Sequence, residues 1–254
     1  MARKLKRISG GRTMARGRVW LFRLIAIVMP LILLLALEGL LRLFGYGYTT
    51  SLFIDAPGNG DYLVFNPAAS RRYFTDPLNA TTGNREPFHK IKEPGTFRVF
   101  VLGESTTIGY PYFHNGSFHR WLQYRLMREH PDKKVEIVNL ALTAVNSYTV
   151  LGFAREAVHY QPDAILIYCG HNEYYGALGV GSTNRLGGSP RLVNTLLWLR
   201  QFRVVQLFSR GLGKLAHLFS SDVSKEGKTR MELMVGQQEI PYGSALYERG
   251  IKQF

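Results

Sequence analysis

A serine hydroxyl is a weak nucleophile until a base takes its proton, and acyl transfer also needs donors aimed at the developing oxyanion. One serine in this chain stands where that chemistry can be assembled. Ser105 follows Phe97–Leu102 (FRVFVL) and Gly103, so it sits at the end of a predicted buried strand, where the chain turns back into a helix. Asn172 lies in Gly170-His171-Asn172-Glu173, just after the apolar run Ala164–Tyr168, and its side-chain amide can donate to an oxyanion. A further strand-like run, Val135–Leu140 (VEIVNL), carries Asn139 near its end. Two carboxylates flank these positions. Glu104 and Glu173 are expected to brace loops by hydrogen bonds rather than to work as an acid/base pair.

A general base is harder to find. The histidine that follows Asn172 is His217, and the residue three before it is Lys214, not an acid. Glu156-x-x-His159 has an acid at that offset but falls on a predicted helix and reads as a surface pair. His171 can line the pocket, and His89, His114, His119 and His130 all precede the second strand. The single cysteine, Cys169, allows no disulfide within the chain and no cysteine-based metal site, and it reads as a small buried hydrophobe. No cofactor or metal is implied.

The elements that must position these groups alternate. Strand Phe97–Leu102, helix Phe118–Glu129, strand Val135–Leu140, helix Thr149–Tyr160 and strand Ala164–Tyr168 predict right-handed βαβ units and a parallel sheet. In such sheets, sites collect at the carboxyl ends of the strands, and all three ends here carry small or polar residues.

Three short blocks then resemble one family. Val101-Leu102-Gly103-Glu104-Ser105-Thr106 resembles the first block of the SGNH/GDSL hydrolases, with Glu for the usual Asp before the serine. Val138-Asn139-Leu140-Ala141-Leu142-Thr143-Ala144 resembles the second block, with Ala141 and Ala144 in place of its glycines. Gly170-His171-Asn172-Glu173 resembles the third block, Gly-x-Asn-Asp. The resemblance covers about residues 97–175, and the phrasing around the motifs is similar to a membrane-anchored bacterial branch. It implies a flavodoxin-like three-layer α/β/α core with a parallel sheet, incomplete at its C-terminal part. Ser105 would be the nucleophile of an esterase. The Ser105 and Ala144 N–H groups and the Asn172 side chain would form the oxyanion hole. The Ala144 donor is expected to survive replacement of glycine if φ stays negative. The fourth block, Asp-x-x-His, is expected beyond residue 254. The chain is therefore expected to be the front of a longer enzyme and nearly inactive alone. Its substrate would be an acyl ester, on a carbohydrate or a lipid. The competing reading is a catalytically dead, membrane-tethered binding or scaffold protein.

The rest of the chain organises around an anchor. Residues 1–18 form a basic arm containing Arg3, Lys4, Lys6, Arg7, Arg12, Arg16 and Arg18 and no acid, half of the formal net charge of +14. Residues 19–44 are apolar on all faces apart from Arg23, Glu38 and Arg42 and are long enough to cross a bilayer core of roughly 30 Å. Pro30 is tolerable in such a helix. The run ends without the small-residue pattern of a cleavage site, so it reads as an uncleaved signal anchor. The positive-inside rule places the arm in the cytoplasm and everything after about Gly45 outside it, in the periplasm. With the charge concentrated beside an apolar span and no nucleic-acid motif present, a nucleic-acid partner is not expected.

Residues 45–95 read as an extended lead-in without sustained period, punctuated by turns such as Ala56-Pro57-Gly58-Asn59-Gly60. Residues 96–254 hold the hydrolase-like domain. Within it, Gly176–Ser189 reads as a loop, Leu192–Phe219 as an apolar, packed helical pair with a basic sprinkling, its alternatives being a segment on the membrane surface or a cap on the active-site side, Ser221–Thr229 as a polar loop, and Arg230–Phe254 as an approach and one more helix.

Overall fold

The structure, a computed structural model, describes residues 16–74, 79–182, 189–219 and 239–254. Most of the basic arm, the Ser221–Thr229 loop and the approach to the last helix lie outside the described residues. The chain forms two compact units, Met1–Gly47 and Tyr48–Phe254.

The first unit is helix α1 (Arg16–Leu43), with Pro30 inside it. Its stretch Arg18–Leu43 is long and apolar enough to cross a membrane, and none of its most apolar window is buried against protein. The Glu38 charge that interrupts the apolar run is paired one turn on, where Arg42 Nε donates to its carboxylate at 2.8 Å.

The second unit is mixed α/β. Its centre is a parallel sheet of three strands, β4 (Thr96–Gly103), β5 (Lys134–Asn139) and β6 (Ala164–Tyr168), in the order β5-β4-β6. β4 is central because both of its faces are apolar. Val99 and Val101 pack with Ile137 against Leu122 and Leu126 of helix α3 (Phe118–Glu129). Phe100 and Leu102 point the other way, into a larger core that includes Val150 and Phe153 of helix α4 (Ser147–Ala157). Alternate side chains of one strand thus fill two cores, and burying each of those phenylalanines contributes on the order of 1.5–3 kcal/mol. The strands and helices expected from the apolar pattern are present within a residue or two.

The lead-in differs from its expected form. It folds into an antiparallel sheet of β1 (Phe53–Ala56), β2 (Asn59–Phe65) and β3 (Phe88–His89). Ala56 pairs with Asn59, so Pro57 and Gly58 alone make the loop, with Gly58 at φ +81° as the third position of a type II turn requires. A type II turn splays a hairpin, and the register shifts between Asp55 and Ala56. Phe53 and Phe88 from this sheet stack edge-on at 4.7 Å, and Phe88 meets Phe100 at 5.4 Å, so the lead-in completes the core over β4.

At the amino end of β4 the fully buried Arg98 ties the two sheets together. Its Nε donates to Glu136 at 2.5 Å, Nη1 to the Tyr160 carbonyl at 2.7 Å, and Nη2 to the His89 carbonyl at 2.7 Å.

The third expected strand is present as β6, and its outer half is exposed: Ile167 is 55% exposed and Tyr168 48%. The reason is position, since β6 is an edge strand among the described residues. Cys169 beyond it is half-buried, packed against the larger core. Helices α5 (Pro190–Leu199) and α6 (Arg203–Phe219) are the pair expected over 192–219, and α7 (Ala245–Gln253) starts with Ser244 accepting the Tyr247 N–H. α7 packs on the segment after Asn172, where Tyr247 stacks on Tyr174 at 5.8 Å and Tyr174 Oη donates to the Tyr247 carbonyl.

Candidate active site

The three carboxyl ends of the parallel sheet are stitched to one another by hydrogen bonds. β4 ends at Gly103, where a Cβ would lie 2.1 Å from the Tyr168 carbonyl oxygen and 2.3 Å from Thr107 Oγ1. Only glycine lets β6 end this close, and Thr107 Oγ1 donates to that same carbonyl at 2.9 Å. The next residues make the short helix α2, Ser105–Ile108 in the structure, with Glu104 in extended conformation before it.

Glu104 is completely buried, and its carboxylate accepts the backbone N–H groups of Gly170 and Asn172, each at 3.1 Å. It therefore fixes the segment after β6 against the residue next to Ser105. Glu173 makes the second stitch. It accepts the Ser147 N–H at 2.8 Å and the Ser147 hydroxyl at 2.7 Å, joining the third segment to the start of α4. Burial pushes the Glu173 carboxyl up; the two Ser147 hydrogen bonds pull it down, the charge of Glu104 adds to the rise, and the net shift is upward. Both carboxylates are bracing groups, as their chemistry in the sequence suggested. A third stitch joins Ala177 N–H to the Ala144 carbonyl at 2.9 Å.

Ser105 is partly exposed, Ala144 is buried, and Asn172 is 9% exposed. Among the described residues, the Ser105 hydroxyl, the Ser105 and Ala144 N–H groups and the Asn172 side-chain amide have no hydrogen-bond partner. One expectation is corrected. Ala144 does not keep a negative φ: it sits at +62°, the left-handed region that glycine adopts freely. The second segment holds the glycine-type backbone in spite of the methyl group, at a cost of roughly 1–2 kcal/mol.

A polar cluster behind α2 was not legible in the sequence. His119 Nε2 is 2.8 Å from Glu86 Oε1, and His119 Nδ1 is 2.6 Å from Ser117 Oγ. This serine–histidine–carboxylate line has the order of a charge relay, but it is sealed: Ser117 and His119 are fully buried, and the Ser117 hydroxyl donates to the Thr107 carbonyl at 2.7 Å. Asn139 Nδ2 donates to that same carbonyl at 2.9 Å, and the second carboxylate oxygen of Glu86 accepts the Asn139 N–H. The cluster anchors α2, and Ser105 with it, to the end of β5 and to α3. Burial would raise the Glu86 carboxyl, but the hydrogen bond and charge of His119, the Asn139 N–H and Arg120 outweigh it and hold it below the ordinary range.

Glu86, His114 and His119 also bring three potential metal-ligand atoms within 4.8 Å of one another. Arg120 Nη2 stands 3.1 Å from Glu86 Oε1 and 2.7 Å from His114 Nε2, so a fixed positive charge already occupies that corner.

The other histidines find different places. His171 is half-exposed, with Nδ1 3.5 Å from the Glu104 carboxylate and its ring edge-on to Tyr168. Glu156 and His159 form no ion pair among the described residues, because Glu156 accepts the Leu52 N–H at 2.6 Å. Both line a cleft of about 480 Å³ between α4 and α5, bounded by Tyr73, Tyr148, Arg155 and Trp198, which does not include Ser105, Ala144 or Asn172. Ser105 thus has no imidazole partner among the described residues.

No family model, curated protein or solved structure matches this chain. The chemistry of the site therefore rests on its own residues.

Proposed function

We propose that this chain is the nucleophile-bearing part of a membrane-anchored serine hydrolase of the SGNH/GDSL type, acting on acyl esters outside the cytoplasm. Ser105 Oγ attacks the ester carbonyl. The Ser105 N–H and the Asn172 amide receive the oxyanion; the Ala144 N–H joins them only if the left-handed, glycine-type backbone at φ +62°, and not the negative φ expected for alanine, is the donor geometry. The leaving alcohol departs as the acyl group passes to Ser105. Water then releases the acid. Each oxyanion donor is worth about 10²–10³ in rate. The general base is a histidine from an Asp-x-x-His segment that residues 1–254 do not supply.

The observation that carries this reading is the stitching of Asn172 to Ser105 through Glu104. A preorganised acyl-transfer site needs its donors held in place before charge develops, and the buried Glu104 carboxylate fixes the backbone of Gly170 and Asn172 beside Ser105 in a way that supports this reading. The anchor reading is supported by the all-round exposure of an apolar α1 and by the basic arm before it. The positive-inside rule then makes the catalytic unit periplasmic.

Ester turnover by the full-length gene product tests this. Ser105→Ala is expected to lower kcat by about 10⁴–10⁶ while circular dichroism stays unchanged. Retained turnover would sink the assignment. One observation favours the second reading, a binding or scaffold protein on the same fold: Ser105 has no imidazole partner among the described residues. In that case wild type and Ser105→Ala would both lack turnover.

A further inference from the structure

α6 carries an apolar stripe that the protein leaves uncovered beyond its first turn. At helical spacing, Phe208, Leu212 and Leu215 form one stripe, and they are 56%, 66% and 53% exposed. Gln206 and Arg210 lie on the opposite side, which meets Tyr48; Gln206 is buried there and Arg210 stays exposed. Gln206 accepts the Tyr48 N–H at 3.0 Å and donates to the Tyr48 carbonyl at 3.1 Å, while the Arg210 guanidinium stands over the Tyr48 ring at 5.7 Å. A surface helix of a water-soluble unit buries its apolar stripe and exposes its polar one. In α6 the apolar stripe is buried only at its start, at Val204.

We propose that α6 lies in the interfacial layer of the membrane that α1 spans, with Phe208, Leu212 and Leu215 among the acyl chains. Three observations select a lipid surface. The stripe of Phe208, Leu212 and Leu215 is apolar and exposed. The helix carries Arg203, Arg210 and Lys214 and no acidic residue, which complements acidic headgroups. Chain length supplies the third: Tyr48 follows Leu43, the last residue of α1, by five residues, which fully extended reach about 18 Å. The residue that clasps Gln206 is therefore tethered close to a membrane face. An interfacial helix at this point would hold the catalytic unit against the bilayer, where ester substrates with acyl chains reside. The inference rests on the anchor reading of α1 and is independent of the esterase reading.

The test uses the full chain in vesicles of phosphatidylcholine and phosphatidylglycerol, with Cys169→Ser removing the native thiol. An environment-sensitive fluorophore is placed in turn at Leu212→Cys, Leu31→Cys in α1, and Ile91→Cys, which is 83% exposed on the second unit. Lipids carrying a nitroxide high on the acyl chain report shallow burial, and lipids carrying it near the chain end report deep burial. The expected result is a blue shift and loss of fluorescence at 212 with the shallow quencher, loss at 31 with the deep one, and neither at 91. Quenching at 31 without quenching at 212 overturns the docked helix and leaves the anchor standing. A blue shift at 212 without lipid quenching overturns it in favour of a protein contact. Absence of quenching at 31 overturns the anchor, and the docked helix proposed on it.

Discussion

The carboxylate of Glu104 accepts the N–H of Asn172 at 3.1 Å, so the residue before the candidate nucleophile positions the residue proposed as oxyanion donor. The same carboxylate takes the Gly170 N–H with its other oxygen. Glu104→Gln keeps the shape but offers one acceptor oxygen, so one buried N–H loses its partner. The expected cost is about 1–3 kcal/mol. Denaturant unfolding checks the stability, and a fall in ester turnover larger than the loss of folded protein would mark Glu104 as a positioning residue.

Ala144 at φ +62° gives a second prediction. Ala144→Gly relieves the left-handed strain but loosens the unfolded chain by about 0.4–1 kcal/mol, so the net change in stability is expected to be small. Ala144→Val adds a branched side chain in a conformation that β-branched residues avoid and is expected to destabilise by more than 1 kcal/mol on the order-of-magnitude scale for such positions. Thermal denaturation of the two variants distinguishes a strained backbone from a relaxed one.

The sealed cluster behind α2 predicts a large structural effect without a catalytic signature. His119→Ala leaves Glu86 buried at the corner it shares with Asn139 and Arg120 and is expected to cost about 3–5 kcal/mol. If instead this histidine were the base for Ser105, the variant would lose turnover while keeping wild-type stability, and urea titration beside an ester assay separates the two.

Two carboxylates give opposite pH trends. The folded-state value of Glu173 is raised, so the stability it contributes is present below the ordinary value of 4.5 and is lost as pH rises through the raised value. The folded-state value of Glu86 is lowered, so its contribution is present above 4.5 and is lost as pH falls through the lowered value. Glu173→Gln is therefore expected to gain stability relative to wild type as pH rises above 4.5. Unfolding curves measured on both sides of that value check the sign.

Several features were legible because local pattern encodes them. β4 reads as a strand because Val99, Phe100, Val101 and Leu102 must fill two cores at once, and a continuous apolar run is the mark of that position. Gly103 and Ser105 were visible at its end, and the bracing roles of Glu104 and Glu173 followed from their flanking places. The hairpin of β1 and β2 was hidden: β1 has four residues, and β2 opens with the polar Asn59-Gly60-Asp61, so neither shows a period. The Glu86–His119 contact joins residues 33 apart in the chain and leaves no periodic trace, and the left-handed backbone of Ala144 contradicts the residue's own preference. The uncovered apolar stripe of α6 depends on which side meets Tyr48, which amphipathicity alone does not say.

The most direct measurement is activity-based labelling of the membrane-embedded, full-length gene product with a fluorophosphonate, followed by peptide mapping by mass spectrometry. The expected adduct is on Ser105, absent in Ser105→Ala and reduced in Asn172→Ala, where an oxyanion donor is gone. An adduct on another serine, or equal labelling of wild type and Ser105→Ala, would contradict the assignment of Ser105 as the nucleophile.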